Sequence, residues 1–559
     1  MQVRKKLDPL TSLRFFAAAM IVSGHSHRLI GSMNLANIFS FAQGVSFFFV
    51  LSGFILAYNY PFLPAKSDVL RFFKARIARI WPSHIAAIVL LFLLTGALNV
   101  GGLPNISMVL FTAIANFFLF QSAIPIKDVF LAFNGVAWSI STEFFFYLFF
   151  PLLITRISWF FKLVGVFFTL CLFLWLSIVC NISSDESLPT ITLMGLLYVN
   201  PLVRLFEFFL GVVCCRVFLT KRIVEQMYKF PTYTFTLIEL MVVTLALFSM
   251  WLTPRLTSFW GLEGQGGAVF NYYLVKAGSA PVFAILIFIF AFGRGFISRM
   301  LSLSPMVWLG EVSFALYLVH MPILNWYENN ISHFVFFPKP VVAGLYWLLS
   351  IYIAWLLYKS IENPCRIAIL KFGQIGKPVL IKIFFGGRQS LFLCLLISSL
   401  LAFKYLPGLI SYEACTAECE NFVSQFSLIP SAGFDRYADL LAIRLKQAPS
   451  QEGKFLEMVF RAKRITKSTH LAVHIVAKDG QIVSQIDTLL VKSQGLSDGQ
   501  LWLERVLIPN RLVDDRSVGI GIALYDDPRK PYRVSYPRTD FDGRRILIDF
   551  SELKLAGTM

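Results

Sequence analysis

Residues 11–30, TSLRFFAAAMIVSGHSHRLI, are apolar enough to enter a bilayer, yet they carry Arg14 near one end and His25 and His27 near the other. Ionisable groups are costly in hydrocarbon, so inside a span they face a bundle interior or a wet cavity unless they snorkel to the interface. Arg14 and His25 stand eleven residues apart, three helical turns, which leaves them ~20° apart around the axis and ~17 Å apart along it. They share a face. Snorkelling explains Arg14 but not His25, whereas His27 lies off that face and reads as an interface residue. Two other apolar runs hold similar groups, Glu143 in WSISTEFFFYLFFP and His320 in FALYLVHMPI. With the Arg14 and His320 spans running outward and the Glu143 span inward, two imidazoles and a carboxylate are expected at one depth, toward the outer surface. A carboxylate beside a histidine orients the ring and raises its basicity, which suits a general base.

At the opposite end, LRFFKARIARIWP sets Arg76 and Arg79 at i,i+3, neighbours on a helix face. Guanidinium forks bind phosphate oxygens bidentately, so the pair is a candidate phosphate clamp, although spacing alone favours plain topology-determining charge. Arg204 and Glu207 have the same spacing and read as a buried structural ion pair. Ser52 in VLSGF and Ser141 are candidate nucleophiles for a covalent relay, ranked below direct transfer of a group because chain order reveals no nucleophile–base pair. Small residues at Ser52–Gly53 equally suit close helix packing. A cationic inner mouth and an outer His/Glu cluster fit the transfer of a group from an anionic cytoplasmic donor to an outer acceptor. The same layout would serve a proton-coupled transporter, or a flippase-like exporter of a glycan or acyl carrier.

The elements that must position these residues are membrane helices. The 559 residues are 57% hydrophobic and 15% charged, with mean hydropathy +0.68, against about 25% charged residues in soluble domains. Net charge is +18, but the cations sit in short clusters beside apolar runs, as in cytoplasmic loops, and not in a nucleic-acid-binding face. A cleaved signal peptide is disfavoured because Arg14 interrupts the first run and no small-residue cleavage site closes it. Apolar candidates cover 10–31, 40–60, 82–100, 106–122, 137–155, 162–181, 196–219, 233–252, 279–297, 305–327, 341–361 and 390–408. Placing every basic cluster inside requires one of them not to cross, and 106–122, short and flanked by Pro104 and Pro125, is the best choice. The fold expected is an all-α polytopic bundle of about 11 transmembrane helices plus a re-entrant or surface helix. From about Ser411 short alternating runs separated by turn signals predict a small, mostly β sandwich on the outer side. The boundaries drawn are 1–388 for the transmembrane domain, 389–426 for a final transmembrane helix and connector, and 427–559 for the β-rich domain. Cys415 and Cys419, four residues apart on the outer side, could form a disulfide, remain free thiols or pair with another chain.

Taken in order, LDPLTSLRFFAAAMIVSGH, FFFVLSGFIL, RIARIWP, WSISTEFFFY, RLFEFFLG, YLVHMP and ENP resemble the signature of the acyltransferase family 3 membrane proteins, over approximately residues 8–366. The resemblance implies a bacterial inner-membrane O-acyltransferase, usually an O-acetyltransferase. Its donor would be cytoplasmic acyl-CoA and its acceptor an extracytoplasmic glycan such as exopolysaccharide, lipopolysaccharide or peptidoglycan. By that resemblance His25 is the essential histidine, Arg14 its partner, Arg76 and Arg79 the cytoplasmic arginine motif, and Glu143 the acid after Trp-Ser. His320 falls in the Tyr-Leu-x-His segment, where a supporting role is carried over less firmly. The partners expected are acyl-CoA, the glycan and the lipid bilayer, with no bound cofactor, metal or nucleic acid. Trp81 departs from the tyrosine common before the proline. The outer domain lacks the Gly-Asp-Ser and Asp-x-x-His elements of the SGNH domain fused to some relatives, so no Ser-His-Asp relay is expected. His470 and His474 read as surface or core histidines. Trp502 and Tyr525, expected to be exposed, would permit sugar stacking, and glycan binding, protein binding, acceptor positioning and a stability role stand level for this domain.

Overall fold

The computed structural model describes residues 6–26, 29, 38–96, 106–155, 158–185, 190–262, 264–330, 338–371, 391–392 and 394–400. Beyond these it describes 417–435, 437–447, 453–463, 470–478, 481–489, 499, 501–509, 513, 517–525, 533–539, 543–553 and 555–556. His27 and Cys415 lie outside the described residues. The chain divides into a helical unit, residues 1–329 and 336–404, and a second unit, the β unit, residues 330–335 and 405–559, that holds the strands.

The main helices of the first unit are α1 (Asp8–His25), α2 (Gly44–Asn59), α3 (Lys66–Thr95), α4 (Ile106–Phe117), α5 (Trp138–Leu153), α6 (Trp159–Val179), α7 (Pro201–Phe218), α8 (Thr232–Leu252), α9 (Gly264–Ala277), α10 (Ala280–Phe292), α11 (Ser304–Asn329), α12 (Lys339–Leu357) and α13 (Asn363–Lys371). Among the described residues, eight helical stretches are long and apolar enough to cross a membrane. The first and sixth expected spans, α1 and α7, are helices of 18 residues each, kept off that count by their polar and charged side chains. Of the expected last span, residues 391–392 and 394–400 are helical and the others lie outside the described set.

Local chemistry sets the helix ends. Asn200 caps α7 by accepting a hydrogen bond from the Leu202 amide at 2.9 Å, and Pro201 follows in the first turn, where its missing N–H costs nothing. Asp68 accepts from the Ala65 amide at 3.2 Å and starts α3 well before its apolar run. The basic cluster Arg71–Arg79, which precedes the apolar run at 82–100, is therefore the first half of a 30-residue helix. α4 has 12 residues, about 18 Å of helix against a hydrocarbon core of about 30 Å, so it is too short to cross. It is tied to α3 by its last carbonyls: Trp81 Nε1 donates to Phe117 O at 3.0 Å, and His84 Nε2 lies 2.9 Å from Asn116 O.

Close backbone approach sets the bundle core. Gly53 of α2 faces Phe208 O of α7, and Gly211 of α7 faces Val50 O of α2, so a Cβ at either position would overlap the opposing carbonyl. Small residues at a crossing let membrane helices meet at backbone distance. Around it pack Phe49, Phe54, Phe146, Phe208 and Phe209.

The β unit includes the short helix α14 (Ala417–Phe426), at the end of the 389–426 segment expected to hold the connector. Ten strands follow, β1 (Ser427–Phe434), β2 (Ala438–Gln447), β3 (Gly453–Ala462), β4 (His470–Ala477), β5 (Ile482–Leu489), β6 (Leu501–Pro509), β7 (Ser517–Tyr525), β8 (Val534–Ser535), β9 (Ile546–Asp549) and β10 (Leu555–Ala556). They form a sheet ordered β6-β3-β2-β1-β8, with β10 beside β2, and a second ordered β5-β4-β7-β9. All pairings are antiparallel except β10 with β2. Leu440, Leu456, Met458 and Phe460 of one sheet share a core with Leu471, Val473, Ile520 and Ile522 of the other, as in a sandwich. Two expectations fail here. Trp502 is 4% exposed and stacks on Phe460 at 5.0 Å, and Tyr525 is 8% exposed and stacks on His470 at 5.3 Å. Strand alternation separates two faces without saying which is inward, so neither ring offers a stacking platform. Cys419 is disulfide-bonded.

Candidate active site

Two centres occupy the helical unit. The first is a histidine pair at the His25 end of α1. His25 Nδ1 and His320 Nε2 are 2.9 Å apart with ring planes 5° from parallel, and His320 Nδ1 lies 2.7 Å from Tyr317 O, one turn back on α11. This chain assigns the tautomers of the neutral rings. A carbonyl only accepts, so His320 carries its proton on Nδ1; His320 Nε2 then accepts from His25 Nδ1–H, leaving the His25 lone pair on Nε2. The elements holding the pair are tightly registered. Gly310 of α11 rests on the Thr11 backbone, Ser12 Oγ donates to Leu301 O at 2.5 Å, and Asn134 Nδ2 donates to Leu318 O at 2.9 Å. His320 is fully buried and His25 is exposed.

The second centre is a cavity of about 170 Å³ lined by Arg14, Ser52, Arg76, Arg79, Glu143 and Tyr147 among apolar side chains. Glu143 Oε1 accepts hydrogen bonds from Ser52 Oγ at 2.8 Å and Tyr147 Oη at 2.7 Å. The expected pairing of Glu143 with His25 does not form. The physical reason is depth: Gly44, which opens α2, packs on Ala17 and Ile21 of α1, and Ser52 lies eight residues further on, ~12 Å along the helix, at the level of Arg14. Glu143 stays with Ser52. Counting residues from the start of an apolar run misplaced it by about three turns.

The arginines divide their roles. Arg79 is ion-paired to Glu362, in the wide turn Tyr358–Glu362 after α12, and its guanidinium lies over Phe314. Arg76 Nη2 is 3.5 Å from Tyr60 Oη and its guanidinium sits 5.5 Å from that ring, with Nε buried and unpartnered. No described residue hydrogen-bonds the Arg14 guanidinium, which borders the cavity. The anion-binding capacity therefore rests with Arg14 and Arg76, and the expected Arg76/Arg79 clamp has one jaw already occupied.

Ser141 is fully buried, donates to Leu119 O at 2.7 Å and bonds Ser122 Oγ at 2.8 Å. It fastens the segment before α5 and is not placed to act as a nucleophile. Arg204 and Glu207 form the expected pair at 2.9 Å, with Ser46 donating to Glu207 and the guanidinium between Phe49 and Tyr198. In the β unit His470 and His474 lie on one strand face, and Arg545 donates to His474 Nδ1 at 3.3 Å.

Sequence reasoning overlooked Tyr147 and Glu362. The first was findable, since it stands four residues after Glu143 on the same helix face. The second belongs to the ENP motif, but nothing local pairs it with an arginine 283 residues away.

A family model described as "Acyltransferase domain" matches residues 9–359. The chain is 27% identical over 386 residues to "Acyltransferase MdmB" of Streptomyces mycarofaciens, covering 64% of this chain and 92% of that protein. It is 26% identical over 406 residues to "O-acetyltransferase OatA" of Staphylococcus aureus (strain NCTC 8325 / PS 47), covering 67% of this chain and 61% of OatA. No solved structure matches the chain.

Proposed function

This chain belongs to the membrane acyltransferase family whose model covers residues 9–359, and from that premise we propose that it moves an acetyl group from cytoplasmic acyl-CoA to a hydroxyl of an extracytoplasmic glycan. In this reading the protein is a multi-pass protein of the bacterial inner membrane, with a cytoplasmic N-terminus and the β unit on the outer side. CoA phosphates dock at Arg14 and Arg76. The acyl arm extends along the cavity toward His25, ~17 Å from Arg14 along α1, so the two residues act on different parts of one extended donor. The acceptor enters from the His25 end. His25 Nε2 takes the hydroxyl proton as the oxygen attacks the thioester carbonyl; the C–S bond breaks and the thiol of CoA carries the proton away. A sugar hydroxyl is a weak nucleophile at neutral pH, and a positioned base contributes roughly 10²–10⁴-fold.

The observation that carries this reading is the His25–His320–Tyr317 chain, which sets one imidazole tautomer at the end of α1 remote from the arginines. The test is to incubate purified protein in detergent with labelled acetyl-CoA and envelope glycan. A new ester on the glycan, lost in His25→Ala, is expected. Full activity in that variant removes His25 as the base, and absence of any ester with the wild type removes the reaction. Exporter activity requires a closed membrane and leaves no ester.

A further inference from the structure

We propose that Glu143 Oε2 reads the amide N–H groups of the donor's pantetheine arm, an assignment that rests on the acyl-CoA reading above. The carboxylate divides its two oxygens. Oε1 is held by Ser52 and Tyr147, while no described residue hydrogen-bonds Oε2, which opens on the cavity. The neighbouring hydroxyls on the wall are spent: Ser139 Oγ and Tyr317 Oη bond each other at 2.7 Å and both lie within reach of Val136 O. The cavity thus presents donors at Arg14 and Arg76 and, among its described side chains, a carboxylate oxygen that holds no hydrogen bond, Glu143 Oε2, set among Val45, Phe48, Phe49 and Ile140.

That combination selects its ligand by chemistry. A cation is disfavoured beside Arg14, Arg76 and Arg79. A sugar would bury more hydroxyls than Arg14, Arg76 and Glu143 can satisfy among these apolar side chains, at the cost of each unmade bond. An anion at one end continued by a slender, mostly apolar arm with secondary amides satisfies both features, and burying such an amide without an acceptor is unfavourable. Depth agrees. Glu143 lies level with Arg14, about three helical turns from His25, where it meets the arm and not the reacting carbonyl. It is therefore a binding residue, and Ser52 and Tyr147 are positioning residues that fix its rotamer.

The test uses the full-length enzyme with two donors, acetyl-CoA and a depsi analogue in which ester oxygens replace the pantetheine amide N–H groups without added bulk. Wild-type KM is expected to rise roughly 10- to 100-fold for the depsi donor, the range of a charge-assisted hydrogen bond, with turnover at saturation little changed. Glu143→Ala should raise KM for acetyl-CoA by a similar factor and abolish the difference between the donors. Glu143→Gln, which keeps a neutral acceptor and the side-chain volume, should fall between. Equal use of both donors by the wild type overturns the proposal. So does a loss of about a hundredfold or more in the saturated turnover rate of Glu143→Gln, the mark of a base, or donor discrimination that survives in Glu143→Ala. If neither donor acetylates the acceptor with the wild type, the acyl-CoA reading itself fails.

Discussion

Replacing His320 tests whether the second imidazole sets the state of the first. In His320→Ala the His25 Nδ1–H loses the acceptor 2.9 Å away. A neutral hydrogen bond contributes about 0.5–1.5 kcal/mol and an unmet donor costs up to about 3 kcal/mol. At about 1.36 kcal/mol per decade, the turnover rate should fall between about 2-fold and about 150-fold. The loss is expected to be smaller than in His25→Ala, which removes the base and its roughly 10²–10⁴-fold contribution. His320→Gln keeps an sp² oxygen able to accept from Nδ1–H and should recover part of the rate; His320→Lys offers only donors and should not. The assay is acetyl transfer at saturating donor, with each variant checked for monodispersity in detergent, since His320 is fully buried. If His320→Ala turns over at the wild-type rate, or His320→Gln and His320→Lys are equally impaired while folded, the tautomer argument is wrong.

Arg14→Ala and Arg76→Ala should each raise KM for acetyl-CoA by about tenfold or more, as loss of a charge-assisted bond predicts, and unchanged donor dependence would reject the anion site. Ser141→Ala should cost about 1–3 kcal/mol through its orphaned partners yet leave the turnover rate within about twofold; abolished turnover in a folded variant would restore Ser141 as a nucleophile. Gly211→Ala, whose Cβ would overlap Val50 O, should destabilise the bundle by about 1–3 kcal/mol or more and disturb Ser52 on the facing helix, measured as thermal stability and KM. Glu457, 2% exposed, pairs Arg444 at 2.5 Å and Arg505 at 2.7 Å. Glu457→Ala leaves two largely buried guanidinium groups without their carboxylate and should cost about 3 kcal/mol, read as faster proteolysis after residue 426 in the full-length chain.

Residue types and periodicity were enough to place the chain in a membrane, to separate a helical part from a β part, and to single out Arg14, His25 and His320. Burial of an ionisable group inside a span is expensive wherever the helix ends up, so cost alone marks it. Three matters needed the tertiary structure. Depth was one: Glu143 was assigned to His25 by counting along a run, but the Gly44 contact and the Ser52 bond put it beside Arg14. Partner choice was another, because Arg76 and Arg79 look equivalent at i,i+3 until Glu362 arrives from a distant turn and takes Arg79. The third was which strand face is inward, which hid Trp502 and Tyr525. Helical and strand periods are local properties of the backbone and can be read along the chain. Axial register, ion-pair partners and sheet facing come from contacts between segments far apart in the chain, and no local pattern encodes them.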